Sequence, residues 1–171
     1  MKGHHNSKTP PSIRDLWRTP EFVFDYYDRR FNFWCDLAAS HENALCEEHY
    51  TADKSAFDAQ VTDWQLGGNV WCNPPYSNIG PWVELCSRLS RETGRVFVML
   101  LPADTSVKWF ADAMRECSEC HLITGRLSFI SEETGDPVNG NNKGSAVFIF
   151  DSLSPFRSQV VMIDRDSMKK D

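Results

Sequence analysis

The chain has 171 residues, of which 41% are hydrophobic and 25% are charged, and its formal net charge is −6 at pH 7. A chain of this size and apolar content can bury one compact core. The negative charge argues against a protein that coats nucleic acid through charge alone, because non-specific binding comes largely from neutralised phosphates. No run of about 18 apolar residues occurs and the first residues are polar, so we expect a soluble cytoplasmic protein without membrane association.

The predicted elements alternate between helices and strands. A flexible arm is predicted over residues 1–14, one folded domain over 15–150 and a polar tail over 151–171. Thr19 is expected to cap the first helix. Helices are predicted at residues 20–29, 81–93 and 107–116, and strands at 31–36, 69–72, 96–101, 121–123, 126–130 and 145–150. This order predicts a three-layer α/β domain with a mainly parallel sheet and a final antiparallel hairpin.

Two polar residues lie at the carboxyl ends of predicted strands. Asp36 ends the strand at 31–36, and Asn73 follows the strand at 69–72. Ligands of open parallel sheets lie beyond the carboxyl ends of the strands. We therefore expect Asp36 and Asn73 to face one crevice.

Asn73-Pro74-Pro75-Tyr76 has the groups needed to present a planar amine for methyl transfer. The N6 amine of adenine is a poor nucleophile with two N–H donors, and Asn73 Oδ1 and the Pro74 carbonyl can accept both hydrogen bonds. Proline fixes φ and so restricts the direction of that carbonyl, while Tyr76 offers a face on which a base can stack. A plain turn is the alternative, because Asn, Pro and Ser favour turns.

The tetrapeptide resembles the [DN]-P-P-[YF] motif of amino-methyltransferases. Further pieces occur in a family-like order. They are Asp15-x-Trp17-x-Thr19-Pro20, Asp36-Leu37-Ala38-Ala39-Ser40 with Asn43, Trp64, Ser77, Trp82, Leu101-Pro102-Ala103, Trp109-Phe110 and Gly125-Arg126-x-Ser128-Phe129. From Asp15 to about Phe150 the chain resembles the phage-type DNA N6-adenine methyltransferase (Dam-like) family.

The resemblance implies a Rossmann-like, site-specific methyltransferase that uses S-adenosylmethionine on a flipped-out adenine of double-stranded DNA, in a bacterial or phage-infected cell. Cofactor contacts are implied for Trp17, Thr19, Pro20, Asp36, Ala38, Ala39 and Asn73, with Asp58 at the adenine edge of the cofactor. Contacts with the DNA substrate are expected from Tyr76, Trp82, Arg126, Phe129 and Lys143, the last together with Asn139, Asn141 and Asn142 in a polar loop.

Several alternatives stay open. Asn-Pro-Pro-Tyr can present an RNA adenine or a protein glutamine amide in the same way. The glycine-rich turn usual after the first strand is replaced by Leu37-Ala38-Ala39-Ser40, which also allows a non-catalytic nucleic-acid-binding module with the same fold. The sequence does not predict an oligomeric state.

The six cysteines lie mostly in apolar segments, where free thiols behave as small hydrophobes. Cys117-x-x-Cys120-His121 matches a haem-attachment pattern, and a lone C-x-x-C supplies two of the four usual zinc ligands. Structural thiols are the favoured interpretation, and we predict no metal site.

Overall fold

A computed structural model describes residues 17–60, 67–138 and 143–170. In chain order, its elements are β1 (Trp17–Arg18), α1 (Glu21–Phe31), β2 (Phe33–Asp36), β3 (Glu48–His49), β4 (Asn69–Cys72), α2 (Gly80–Thr93), β5 (Phe97–Pro102), α3 (Lys108–Glu116), β6 (Glu119–Thr124), β7 (Ile130–Ser131), β8 (Ser145–Phe150), β9 (Gln159–Asp164) and a 3-10 helix, η1 (Arg165–Lys169). The three predicted helices and five of the six predicted strands are confirmed, each within about two residues.

Seven strands form one sheet in the order β3-β2-β4-β5-β8-β6-β9. Most neighbours are parallel, whereas β8 runs antiparallel to both β5 and β6. Strands β1 and β7 form a separate antiparallel pair. The predicted Rossmann-like α/β class with a mainly parallel sheet is therefore confirmed.

Helices cover both faces of the sheet because its central strands are apolar on both sides. In β5, Phe97, Met99 and Leu101 belong to the core that contains the apolar residues of α2 and α3. Val98 and Leu100 belong to the core that contains those of α1. The domain therefore has three layers, with α2 and α3 on one face of the sheet and α1 on the other, and one core on each side.

Helix α1 begins differently from the prediction. Pro20 occupies the N-cap position and no side chain caps the helix. Because the ring of proline fixes φ near the helical value, Pro20 can start the helix without a capping hydroxyl. Thr19, predicted as the cap, is buried and faces the site described below.

The predicted strand at residues 126–130 is wrong. Leu127 and Phe129 are 2% and 1% exposed, and their alternation with exposed neighbours imitates a strand. The segment is a loop that inserts both side chains into the core shared with α1. Only Ile130–Ser131 is extended, in β7, so the antiparallel partners of β8 are β5 and β6 rather than residues 126–130.

Residues 151–171 do not form the predicted polar tail. Strand β9 pairs in parallel with the whole of β6, and η1 follows it with Met168 buried. β9 is an edge strand whose Val160 and Met162 are 53% and 61% exposed, so its sequence lacks the apolar continuity of a central strand. The arm predicted at 1–14 lies outside the described residues.

Candidate functional site

The site lies at the carboxyl ends of β2 and β4. These strands are parallel neighbours, and Asp36 is the register partner of Trp71. Asn73 follows β4 directly. As the topology requires, Asp36 and Asn73 line one cavity of about 450 Å³, a volume suited to a nucleoside-sized ligand.

Residues from six parts of the chain line the cavity. Its lining consists of Trp17, Arg18 and Thr19, residues 36–40, Asn43, Leu45, residues 50–52, residues 55–57, Trp71, Asn73, Pro75, Trp82 and Glu132. Aliphatic and aromatic walls with a few polar groups are typical of small-molecule sites.

Three polar atoms of this lining are buried without a hydrogen-bond partner among the described residues. They are the donors Arg18 Nε and Trp71 Nε1 and the acceptor Asn73 Oδ1. Such atoms are rare because each one costs about 1–3 kcal/mol when left unsatisfied. The cavity therefore offers two donors and one acceptor that are free to bind polar groups of ligands.

Asp36 supplies a buried carboxylate to the same cavity. It is 4% exposed, and its oxygens accept from the backbone N–H groups of Ala38 and Leu45 at 3.4 and 3.2 Å. Burial raises the pKa of the Asp36 carboxyl to about 6, although these hydrogen bonds and His49 oppose the shift. At pH 7.5 Asp36 therefore carries a negative charge.

The four residues of the Asn-Pro-Pro-Tyr motif have different surroundings. Asn73 and Pro75 line the cavity, whereas Pro74 is buried. The Tyr76 hydroxyl donates to the Leu100 carbonyl at 3.2 Å, and burial raises the pKa of Tyr76. Tyr76 also lines a second groove between α2 and α3. Tyr76 as a platform for a base stays a prediction.

Most of the residues predicted to contact the cofactor share the cavity. Trp17, Thr19, Ala38 and Ala39 line it together with Asp36 and Asn73. Pro20 is buried at the start of α1 and lies outside the lining. Asp58 is exposed and outside it too, whereas its neighbour Phe57 lines the cavity and packs edge-on against Trp82, with ring centroids 4.7 Å apart.

The predicted substrate contacts are more dispersed. Trp82 lines the cavity. Phe129 is buried, with Trp17 stacked on it at 5.9 Å and Tyr76 edge-on at 6.0 Å. A base can reach Phe129 only if one of these rings moves.

Arg126 and Lys143 are exposed and do not line the cavity. The Arg126 carbonyl accepts from Arg165. Lys143 pairs with Asp104, and its hydrogen bond, together with that of Ser106, holds the pKa of Asp104 at about 2. Asn139, Asn141, Asn142 and Trp64 lie outside the described residues.

Several lining residues were not predicted. Tyr50, Ser55 and Phe57 come from a segment whose periodicity is unclear, and Glu132 arrives from the loop after β7. Ser40 donates to Glu132 at 2.8 Å and ties that loop to the end of β2. Arg18 lines the cavity as well. No role was predicted for it, although it lies between Trp17 and Thr19, which were predicted to contact the cofactor.

The Cys-x-x-Cys-His segment does not converge on one point. Cys117 and Cys120 belong to the core beside α2 and α3, whereas His121 contacts Tyr27 on the opposite face of the sheet. Within residues 17–60, 67–138 and 143–170, no group of three or more His, Cys, Asp and Glu side chains is arranged to hold a metal ion. The same ranges contain no helix that is long and apolar enough to span a membrane.

His121 belongs to a buried hydrogen-bond chain. Its Nδ1 lies 3.0 Å from the Tyr27 hydroxyl and its Nε2 lies 3.0 Å from Glu119 Oε2, and Arg30 pairs with both Glu119 oxygens. A neutral imidazole satisfies this chain if Nε2–H donates to Glu119 and Nδ1 accepts from Tyr27. Burial lowers the pKa of His121, although Glu119 opposes the shift.

We expect this chain to make the folded state sensitive to acid. Below pH 6.5 the unfolded chain gains a proton at His121 before the folded chain does, so stability is lost as pH falls. Between pH 7.5 and 5.5 the unfolding free energy of the wild type should fall by up to about 1.4 kcal/mol more than that of His121→Gln. Urea denaturation at both pH values measures this. An identical pH dependence in both proteins would show that His121 is not the responsible group.

The sheet with one antiparallel strand, together with Asn-Pro-Pro-Tyr at a strand end beside a ligand-sized cavity, is consistent with a Rossmann-like methyltransferase domain. The sequence model described as DNA N-6-adenine-methyltransferase (Dam) matches residues 6–171. Two relatives carry the name DNA N-6-adenine-methyltransferase. The Escherichia phage T1 protein is 36% identical over 166 residues, which cover 88% of this chain and 68% of the relative. The Haemophilus phage HP1 (strain HP1c1) protein is 37% identical over 155 residues, covering 89% and 87%. The chain belongs to the DNA N-6-adenine-methyltransferase (Dam) family.

Proposed function

We propose that the protein transfers a methyl group from S-adenosylmethionine to N6 of an adenine in double-stranded DNA, within a specific sequence. The observation that carries this proposal is the buried, unpartnered Asn73 Oδ1 in the cavity. Such an acceptor is complementary to an amine donor. Membership of the Dam family selects adenine among the possible planar amines.

The residues of the chain act by orienting the amine. Asn73 Oδ1 accepts one amine hydrogen and the Pro74 carbonyl accepts the other, which directs the nitrogen lone pair at the methyl group. S-adenosylmethionine, when bound, supplies an electrophilic methyl on a sulfonium ion. With the cofactor bound, N6 would bond to the methyl carbon as the carbon–sulfur bond breaks, which would leave S-adenosylhomocysteine, and the proton lost from N6 would pass to solvent water. Asn73 stabilises the positive charge that develops on the nitrogen.

The cavity fits this cofactor in size and in its polar groups. Asp36 offers a negative charge to the ammonium of the methionyl part, and Trp17, Thr19, Ala38 and Ala39 form the adjoining wall. Phe57 and Trp82, which pack edge-on against each other, add aromatic surface to the lining. The target adenine must leave the base stack to reach Asn73, with Tyr76 and Phe129 as proposed ring contacts and Arg126 and Lys143 as proposed phosphate contacts.

A comparison of polymers tests the proposal. Purified protein is incubated with methyl-labelled S-adenosylmethionine and either duplex DNA, RNA of the same sequence or a glutamine-containing peptide. We expect label in DNA, recovered as N6-methyladenine after hydrolysis. Label found only in RNA or in the peptide would mean that the protein methylates that substrate and not DNA. Binding of S-adenosylhomocysteine without any transfer would identify a non-catalytic module.

A further inference from the structure

Arg18 occupies a position in the cavity that neither the proposed catalysis nor the family likeness explains. It lies in β1 between Trp17 and Thr19, and all three residues line the cavity. Its Nε is buried without a hydrogen-bond partner among the described residues. A buried guanidinium N–H without an acceptor is costly, so a ligand acceptor at this point is favoured.

The nearby carboxylates do not neutralise Arg18. Glu132 lines the same cavity, but one of its oxygens accepts from Ser40. In the part of the chain that the structure describes, the ion pairs join other residues and none includes Arg18. Glu42 interacts electrostatically with Arg18 but does not line the cavity, so the guanidinium still presents positive charge to the cavity wall.

Arg18 supplies the cavity with a positive group, whereas Asp36 and Glu132 supply carboxylates. Of these, Glu132 already accepts from Ser40. Trp71, the register partner of Asp36, adds the second buried donor without a partner, at Nε1. A carboxylate has two oxygens with about four acceptor sites, so it can satisfy both donors. The amino-acid end of a ligand, with one ammonium and one carboxylate, matches this arrangement of charges.

We propose that Arg18 binds the α-carboxylate of the methionyl part of the cofactor, with Trp71 Nε1 as a second donor and Asp36 on the ammonium side. This assignment rests on the proposed function. It makes Arg18 the residue that distinguishes the intact cofactor from nucleosides that lack a carboxylate.

Two ligands that differ only in that carboxylate test the assignment. The full chain is titrated calorimetrically with S-adenosylhomocysteine and with its decarboxylated form, as wild type, Arg18→Gln and the control Arg88→Gln. Arg88 is an exposed residue of α2 that pairs with Glu92. We expect the wild type and the control to bind S-adenosylhomocysteine roughly 10- to 100-fold more tightly than its decarboxylated form. Arg18→Gln should lose this preference while its affinity for the decarboxylated ligand is unchanged.

Other outcomes are equally informative. A preference that survives in Arg18→Gln overturns the assignment, and so does an equal loss of affinity for both ligands, which would mean that Arg18 only shapes the cavity. If the wild type binds neither ligand, the proposed cofactor itself is wrong and the assignment falls with it. Arg18→Lys, which keeps the charge but lacks the guanidinium fork, should retain part of the preference and serves if Arg18→Gln does not fold.

Discussion

Replacing Asn73 with alanine is expected to lower methyl transfer to DNA by roughly 100- to 1,000-fold, a loss typical for removal of one group that stabilises developing charge. Affinity for S-adenosylhomocysteine should change by less than about threefold, because the other residues expected to contact the cofactor, Asp36 and Arg18 among them, are kept. Stability should not decrease, since Oδ1 has no partner to lose among the described residues. Label transfer, calorimetry and urea denaturation measure the three quantities.

Two matched variants separate chemistry from packing. Asn73→Asp keeps an acceptor oxygen at the same place and should retain measurable transfer. Asn78→Ala removes an exposed amide that borders the other groove and should behave as wild type. Undiminished transfer by Asn73→Ala would contradict the proposed role of Oδ1.

Replacing Asp36 with asparagine is expected to weaken S-adenosylhomocysteine binding by roughly 10- to 100-fold, because the ammonium loses its charged partner. The folded protein should unfold at an equal or higher urea concentration at pH 7.5. The fold favours protonated Asp36, so this contribution to stability is present below pH 3.8 and lost as the pH rises to about 6. Asparagine has no such cost, although its amide keeps a single acceptor for Ala38 and Leu45.

The pH dependence of binding provides the control for Asp36. Wild-type affinity should fall below about pH 6, by up to about tenfold per pH unit, as Asp36 gains a proton. Asp36→Asn keeps His49, the neighbouring group that opposes the pKa shift of Asp36, and should show a flat profile from pH 7.5 to 5.5. A variant with the same slope as the wild type would place the titration on another group.

Local sequence patterns predicted the elements whose apolar residues keep one period along the whole element. The continuous apolar run of β5 and the amphipathic α2, closed by Gly94 at φ 68°, were predicted nearly to the residue. Residues 126–130 misled because a loop that buries Leu127 and Phe129 has the same alternation as a strand. β9 was missed because an edge strand exposes Val160 and Met162 and needs no apolar run. In both cases, whether the segment forms a strand depends on a pairing partner that is distant in the sequence.

The site was predictable where chemistry is concentrated in a few adjacent residues. Asn73 and Asp36 could be placed because each lies at the carboxyl end of a strand, and the ends of parallel strands share one crevice. Phe57 and Glu132 reach the cavity from loops whose paths depend on the whole fold. The unsatisfied Arg18 Nε is visible only after packing, since no sequence pattern reports a missing hydrogen-bond partner.

Methylation of host DNA tests the central claim most directly. The wild-type protein and Asn73→Ala are expressed separately in a bacterial host that lacks adenine methylation, and modified bases are read from the genomic DNA with their sequence context. The account predicts N6-methyladenine at a recurring sequence with the wild type and almost none with Asn73→Ala. Unmodified adenine in the presence of folded wild-type protein, or equal modification by both proteins, would contradict it.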